Sequence, residues 1–153
     1  MSNFFGKPIK HQIYIAAAPE KVYDTITSGD EWNRFFTHST EVDPHPGGRI
    51  VFRWKDWGPN FYTTSAEGKV LEIKKPTRFV FQWYPVTRDN PTKIEFDLSE
   101  QHGGTIVDLH ESGYPDTPES RAMILECASG WGEALTLLKF YIEHGVTYTP
   151  PKK

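Results

Sequence analysis

Few side chains in this chain are of a type and spacing that could do acid–base or nucleophilic chemistry. Glu111 shares strand parity with Val107 and Leu109. Strict alternation would therefore aim its carboxylate inward, where it could orient a ligand or move a proton. Alternation often fails at strand ends, so a solvated Glu111 is the expectation. Tyr23 and Tyr62 complete the acid–base candidates, and no residue is assigned a catalytic role. The six histidines, His11, His38, His45, His102, His110 and His144, include no pair at helix-face spacing, and the chain has one cysteine. No metal centre is expected from them. A Gly-x-Ser-x-Gly elbow, a phosphate loop and a dinucleotide glycine fingerprint are all missing from the sequence, so no cofactor is implied. Cys127 falls on an apolar stripe and reads as a small buried hydrophobe.

What the chain does supply is aromatic surface. Aromatic residues make up 14% of its 153 positions, with Trp32, Trp54, Trp57, Trp83 and Trp131 spread along the whole length. Trp57 lies in the turn-forming run from Asp56 to Asn60, and Tyr62 just beyond it. There they would meet a ligand or partner at a pocket mouth, or else cover a sheet edge. The net charge of −3 and pI near 6.1 give no basic face for nucleic acid or an anionic membrane, and the basic tail Pro150 to Lys153 is too short to change this. A lone cysteine excludes an internal disulfide framework and fits a reducing compartment. The longest apolar run, Ile13 to Ala18, is far too short to span a bilayer, and no secretory leader pattern opens the chain. A soluble cytoplasmic protein is expected, as one domain over 1–153 with a core of about 8–146 and flexible termini.

These residues need elements to position them. His11 to Ala17 reads as a first strand. Pro19 suits the first turn of a helix carrying Val22, Tyr23 and Ile26. Gly29 is expected to stop that helix and Asp30 to cap a second short one with Trp32, Phe35 and Phe36. From Thr40 the period changes to two: Ile50, Phe52 and Trp54 share a face, then Phe79, Phe81 and Trp83, then Ile94, Phe96 and Leu98, then Val107 and Leu109. One apolar face on strands joined by short loops predicts an antiparallel sheet covered on one side. Gly68, in the extended stretch Phe61 to Ile73, is expected at a bulge. Thr117 and Pro118 open a helix predicted to run to His144, with Ile124, Cys127, Trp131, Leu135, Leu138 and Ile142 stepping at threes and fours. Within it Gly130 and Gly132 each cost about 1 kcal/mol relative to alanine. They call for a reason, either a bend or room for something beside the helix.

A strand, two short helices, a run of antiparallel strands and one long terminal helix resemble the helix-grip fold of the START-like (SRPBCC) superfamily. The branch is similar to the activator of the heat-shock-protein-90 ATPase. The resemblance rests on Ala18-Pro19-Glu20-Lys21-Val22-Tyr23, on Trp32 with Phe35-Phe36, and on Asp43 with Gly47-Gly48. It continues through Gly68-Lys69-Val70, Phe81-Gln82-Trp83, Gly104-Thr105 before Val107-Asp108-Leu109, Ser112-Gly113-Tyr114 and Gly130-Trp131. The turn from Asp43 to Gly48 lacks the arginine such proteins often carry there.

The resemblance implies an α+β fold in which a curved antiparallel sheet wraps the C-terminal helix, with space between them for an apolar ligand. The ligand-facing set is then expected to comprise Trp32, Phe52, Trp54, Phe81, Trp83 and Phe96 with Glu111, facing Met123, Cys127 and Trp131, with Trp57 and Tyr62 at the mouth. The simpler alternative is that these aromatics only fill a core. Three functions compete. One is noncatalytic binding of a lipid, polyketide or aromatic metabolite, the favoured expectation. Another is a polyketide cyclase or aromatase-like enzyme using Glu111, Tyr23 or Tyr62. The last is a protein contact, either with a heat-shock-protein-90 ATPase or in a homodimer, against which stands a monomer.

Overall fold

A computed structural model describes residues 6–149; residues 1–5 and 150–153, with the basic tail, lie outside the described residues. The chain runs β1 (Ile9–Ile15), α1 (Pro19–Ile26), α2 (Gly29–Phe35), β2 (Glu41–Val42), β3 (Arg49–Trp57) and β4 (Tyr62–Lys74). It continues through β5 (Arg78–Trp83), β6 (Thr92–Gln101), β7 (Gly104–Ser112) and α3 (Pro118–His144). The strands form one seven-stranded sheet in the order β1-β7-β6-β5-β4-β3-β2, every neighbouring pair antiparallel. This is the helix-grip fold: a curved sheet closed by the terminal helix.

Local chemistry explains most boundaries. Pro19 stands at the first turn of α1, where its missing N–H costs nothing. The side chain of Ser28, rather than Asp30, caps α2 by accepting the Glu31 N–H at 3.3 Å. The first helix ends at Ile26, so Gly29 opens the second helix instead of stopping the first. α3 has the predicted bounds, with the Thr117 hydroxyl accepting the Ser120 N–H at 3.2 Å and Gly145 in the left-handed conformation at its end.

The β4 irregularity lies between Val70 and Glu72, not at Gly68. Gly68 has another cause: a Cβ there would stand 1.7 Å from the Gln82 carbonyl oxygen, so only glycine lets β5 approach so closely. A second irregularity, between Trp54 and Trp57, carries β3 through Asp56 and brings Trp57 opposite Tyr62.

Polar anchors pull α3 toward one edge of the sheet. His11 of β1 hydrogen-bonds the Ala128 carbonyl oxygen at 2.8 Å. Lys139 donates to the Tyr14 carbonyl oxygen at 2.6 Å and to Glu143 at 2.7 Å, and Glu143 accepts the Ala16 N–H at 2.9 Å. The helix therefore lies closest to β1 and to α2. Ile15, Phe79, Phe81, Phe96, Val107 and Leu109 are completely buried beneath it. Toward β3, β4 and β5 the helix backbone stands off, and aromatic side chains bridge the gap.

Candidate ligand pocket

A cavity of about 330 Å³ opens where α3 stands off the sheet. Phe52 and Trp54 of β3, Thr64 and Ala66 of β4, and Trp83 of β5 face Met123, Cys127, Gly130 and Trp131 of α3 across it. The pairings Phe52↔Ala66 and Trp54↔Thr64 put a small residue opposite a large one. Directly paired residues share a face, so the small partners leave room in front of the rings.

The walls are held by ring packing and hydrogen bonds. Trp83 and Trp131 lie 5.2 Å apart, and Phe52 meets Trp83 edge-on at 5.7 Å. At the mouth, Trp57 stacks on Tyr148 at 4.0 Å, and the Tyr148 hydroxyl accepts the Gly58 N–H at 3.1 Å. Trp57, Tyr62, Glu126 and Glu133 also line a neighbouring cleft that includes Asn60 and Tyr148. Tyr62 is 60% exposed.

Beneath the wall lies Glu111, fully buried. The expectation that it is solvated is overturned. Its strand does not fray there, because Glu111 pairs with Ile9 on one side and Ile94 on the other, so alternation continues to the strand end. Trp131 donates its indole N–H to Oε1 at 2.9 Å, Trp83 donates its own to Oε2 at 2.8 Å, and the Thr92 hydroxyl stands 2.6 Å from Oε2. A carboxylate only accepts and an indole N–H only donates, so the set is matched. The carboxylate thereby orients both tryptophans on the cavity wall.

Tyr114 and Cys127 surround the same carboxylate. Burial first, and then the charge of Glu111, hold the Tyr114 hydroxyl well above the usual tyrosine range. That hydroxyl is buried with no well-formed hydrogen bond among the described residues. Burial, with Glu111 second, pushes the Cys127 thiol up to about 12. Thiol chemistry runs through the thiolate. Iodoacetamide at pH 8 should therefore alkylate Cys127 at least tenfold more slowly in the folded protein than in denaturant; equal rates would contradict this setting.

The two helix glycines have separate causes. A Cβ at Gly132 would meet the His11 ring at 3.3 Å, so this glycine admits the histidine that docks β1 on the helix. A Cβ at Gly130 would meet nothing within 4 Å, and Gly130 lines the cavity.

Of the residues expected to face a ligand, Phe52, Trp54, Trp57, Tyr62, Trp83, Met123, Cys127 and Trp131 come together at the cavity. Trp32, Phe81, Phe96 and Glu111 do not. Trp32 donates to the Ile26 carbonyl oxygen at 2.8 Å and is packed among Phe35, Phe36 and Phe52. Phe81 and Phe96 are fully buried and pack on the Trp131 ring, at 6.4 and 6.0 Å. Tyr23 also lies in the core. Sequence reading missed Phe36, Ser65, Tyr84, Pro85, Glu126 and Glu133, along with Thr64 and Ala66. Glu126, Gly130 and Glu133 were readable as one stripe, at i, i+4 and i+7 beside the Met123-Cys127-Trp131 stripe. Among the described residues no group of three or more His, Cys, Asp or Glu is placed to hold a metal ion. No described helix is long and apolar enough to cross a membrane.

A family model described as Activator of Hsp90 ATPase homolog 1-like protein matches residues 16–143. The Aha1 dimer from Colwellia psychrerythraea is 26% identical, with TM-score 0.75 over 91% of this chain and 98% of that one. CalU16 from Micromonospora echinospora is 22% identical, with TM-score 0.69 over 90% of this chain and 77% of that one. DynU16, a protein in the dynemicin biosynthetic locus, is 15% identical with TM-score 0.75; the match covers 92% of this chain and 49% of DynU16, about half its length. These last two likenesses bear on the fold alone. No curated protein matches the chain in sequence.

Proposed function

The chain belongs to the Activator of Hsp90 ATPase homolog 1-like family, within the START-like superfamily, and from that membership we propose that it binds a hydrophobic small molecule between sheet and helix without transforming it. The observation that carries this reading is the cavity of about 330 Å³ beside the buried aromatic core. Ligand pockets begin at about 300 Å³ and are mostly apolar walls with a few polar groups. Acid–base catalysis needs convergent free groups inside the site. Of the three candidates, Glu111 is engaged by three groups, Tyr23 is in the core and Tyr62 stands at the exposed mouth. That distribution favours binding over turnover.

Native mass spectrometry of freshly purified protein tests this directly. A co-purified lipid, polyketide or aromatic metabolite is expected, or, from ligand-free protein, a thermal shift with members of such a library, because a ligand that binds only the folded state raises its stability. Bare protein with no shift across the library would sink the reading. The same spectrum addresses a homodimer, which the Colwellia psychrerythraea dimer favours, against a 17.6 kDa monomer. A contact with a heat-shock-protein-90 ATPase rests on the family description alone; stimulation of ATPase activity by the added protein decides it.

A further inference from the structure

The cavity is electronegative as well as aromatic. Glu126 and Glu133 line it from the exposed flank of α3, two turns apart with Gly130 between them, and both also line the neighbouring cleft. Neither has an ion-pair partner among the described residues. Among the described residues no lysine, arginine or histidine lines either space. Arg88 lies over the ring of Tyr84, a lining residue, at 5.6 Å.

The aromatic wall adds to this field. Trp83 and Trp131 both give their indole N–H to buried Glu111, so a carboxylate stands behind the rings that face the cavity. Donation to a carboxylate pushes electron density into the indole, and an electron-rich face attracts cations more strongly. Within the wall the same buried carboxylate contributes, after burial, to the raised Tyr114 and Cys127. Trp57 lines the mouth with the helix carboxylates, one of its faces stacked on Tyr148.

Building on the pocket reading above, we propose that the ligand is a cationic amphiphile: a flat apolar body seated against Trp54, Trp83 and Trp131, with a protonated amine held at the mouth between Trp57 and the carboxylates of Glu126 and Glu133. Chemically it is an aryl-alkyl amine or an amine-bearing polycycle. An anionic ligand such as a fatty acid would bring a like charge against unpaired carboxylates, and its affinity would suffer.

Three isosteric probes test this by titration: 2-naphthylmethylamine, 2-naphthylmethanol and 2-naphthoate. At pH 7 and low ionic strength the amine is expected to bind about tenfold more tightly than the alcohol, and the naphthoate most weakly. Raising the salt should shrink the ratio, because exposed carboxylates are screened. The double variant Glu126→Gln with Glu133→Gln should bring the ratio of amine to alcohol affinity close to one. An alcohol that binds as well as the amine overturns the charge preference and leaves the pocket reading standing. A ratio that survives both salt and the double variant also overturns it. If none of the three binds, the cationic-ligand proposal falls, while the pocket reading stands or falls on the mass spectrum and the library. The salt series on the unaltered protein carries the test even if the variant folds poorly.

Discussion

Replacing Glu111 by leucine should destabilise the protein by about 3–5 kcal/mol, because it strands three buried donors at once. Leucine has similar bulk but accepts nothing, so the indole N–H groups of Trp83 and Trp131 and the hydroxyl of Thr92 lose their shared acceptor. Each buried donor left unpaired costs about 1–3 kcal/mol. Glu111→Gln keeps one accepting oxygen but turns an NH₂ toward a donor, so a smaller loss is expected. A denaturant titration followed by tryptophan emission reads both quantities. If Glu111→Leu lies within 1 kcal/mol of the unaltered protein, the buried carboxylate does not hold the wall together.

The second large effect runs the other way on stability. Gly130→Leu should leave the melting temperature equal or higher, since replacing a helix glycine gains about 0.5–1 kcal/mol of propensity. The new Cβ meets nothing within 4 Å, so the backbone has no reason to object. The leucine side chain would instead occupy the cavity, and affinity for 2-naphthylmethanol should fall about a hundredfold. Gly130→Ala should show the same directions at smaller amplitude. A folded Gly130→Leu protein that binds the probe as before would mean that ligands do not enter between helix and sheet. The two variants separate the parts of the site: Glu111 supports its wall, and Gly130 keeps its volume.

The order of elements was legible because each announces itself locally. Period-two runs such as Ile94, Phe96 and Leu98 marked strands, and the Thr117-Pro118 start marked α3. Depth was not legible. Phe81 and Trp83 share a face of one strand, yet Phe81 is sealed beneath Trp131 while Trp83 borders open space. The difference depends on where the helix lies across the sheet. That is fixed by His11, Lys139 and Glu143, polar residues scattered through the chain whose partners are backbone atoms and each other. Glu111 was misjudged for a related reason. Alternation along one strand says nothing about whether its neighbours extend equally far, and here both do. Glu126 and Glu133 were overlooked because charged positions on an amphipathic helix ordinarily face solvent, and only the stand-off of α3 brings them to a cavity.

The arrangement of Trp83, Glu111 and Trp131 also bears on how such a chain can drift. Losing the carboxylate strands two indole donors, and losing either indole takes one donor from the carboxylate, so single substitutions are penalised one at a time. Removing all three together, with leucine at position 111 and phenylalanine at 83 and 131, removes both donors with their acceptor and leaves Thr92 alone to adjust. Lineages descended from a common ancestor should therefore keep this trio whole or discard it whole, with mixed states rare and short-lived. Counting those states in an alignment of relatives would reveal whether natural selection has treated three positions, far apart in the chain, as one inherited character.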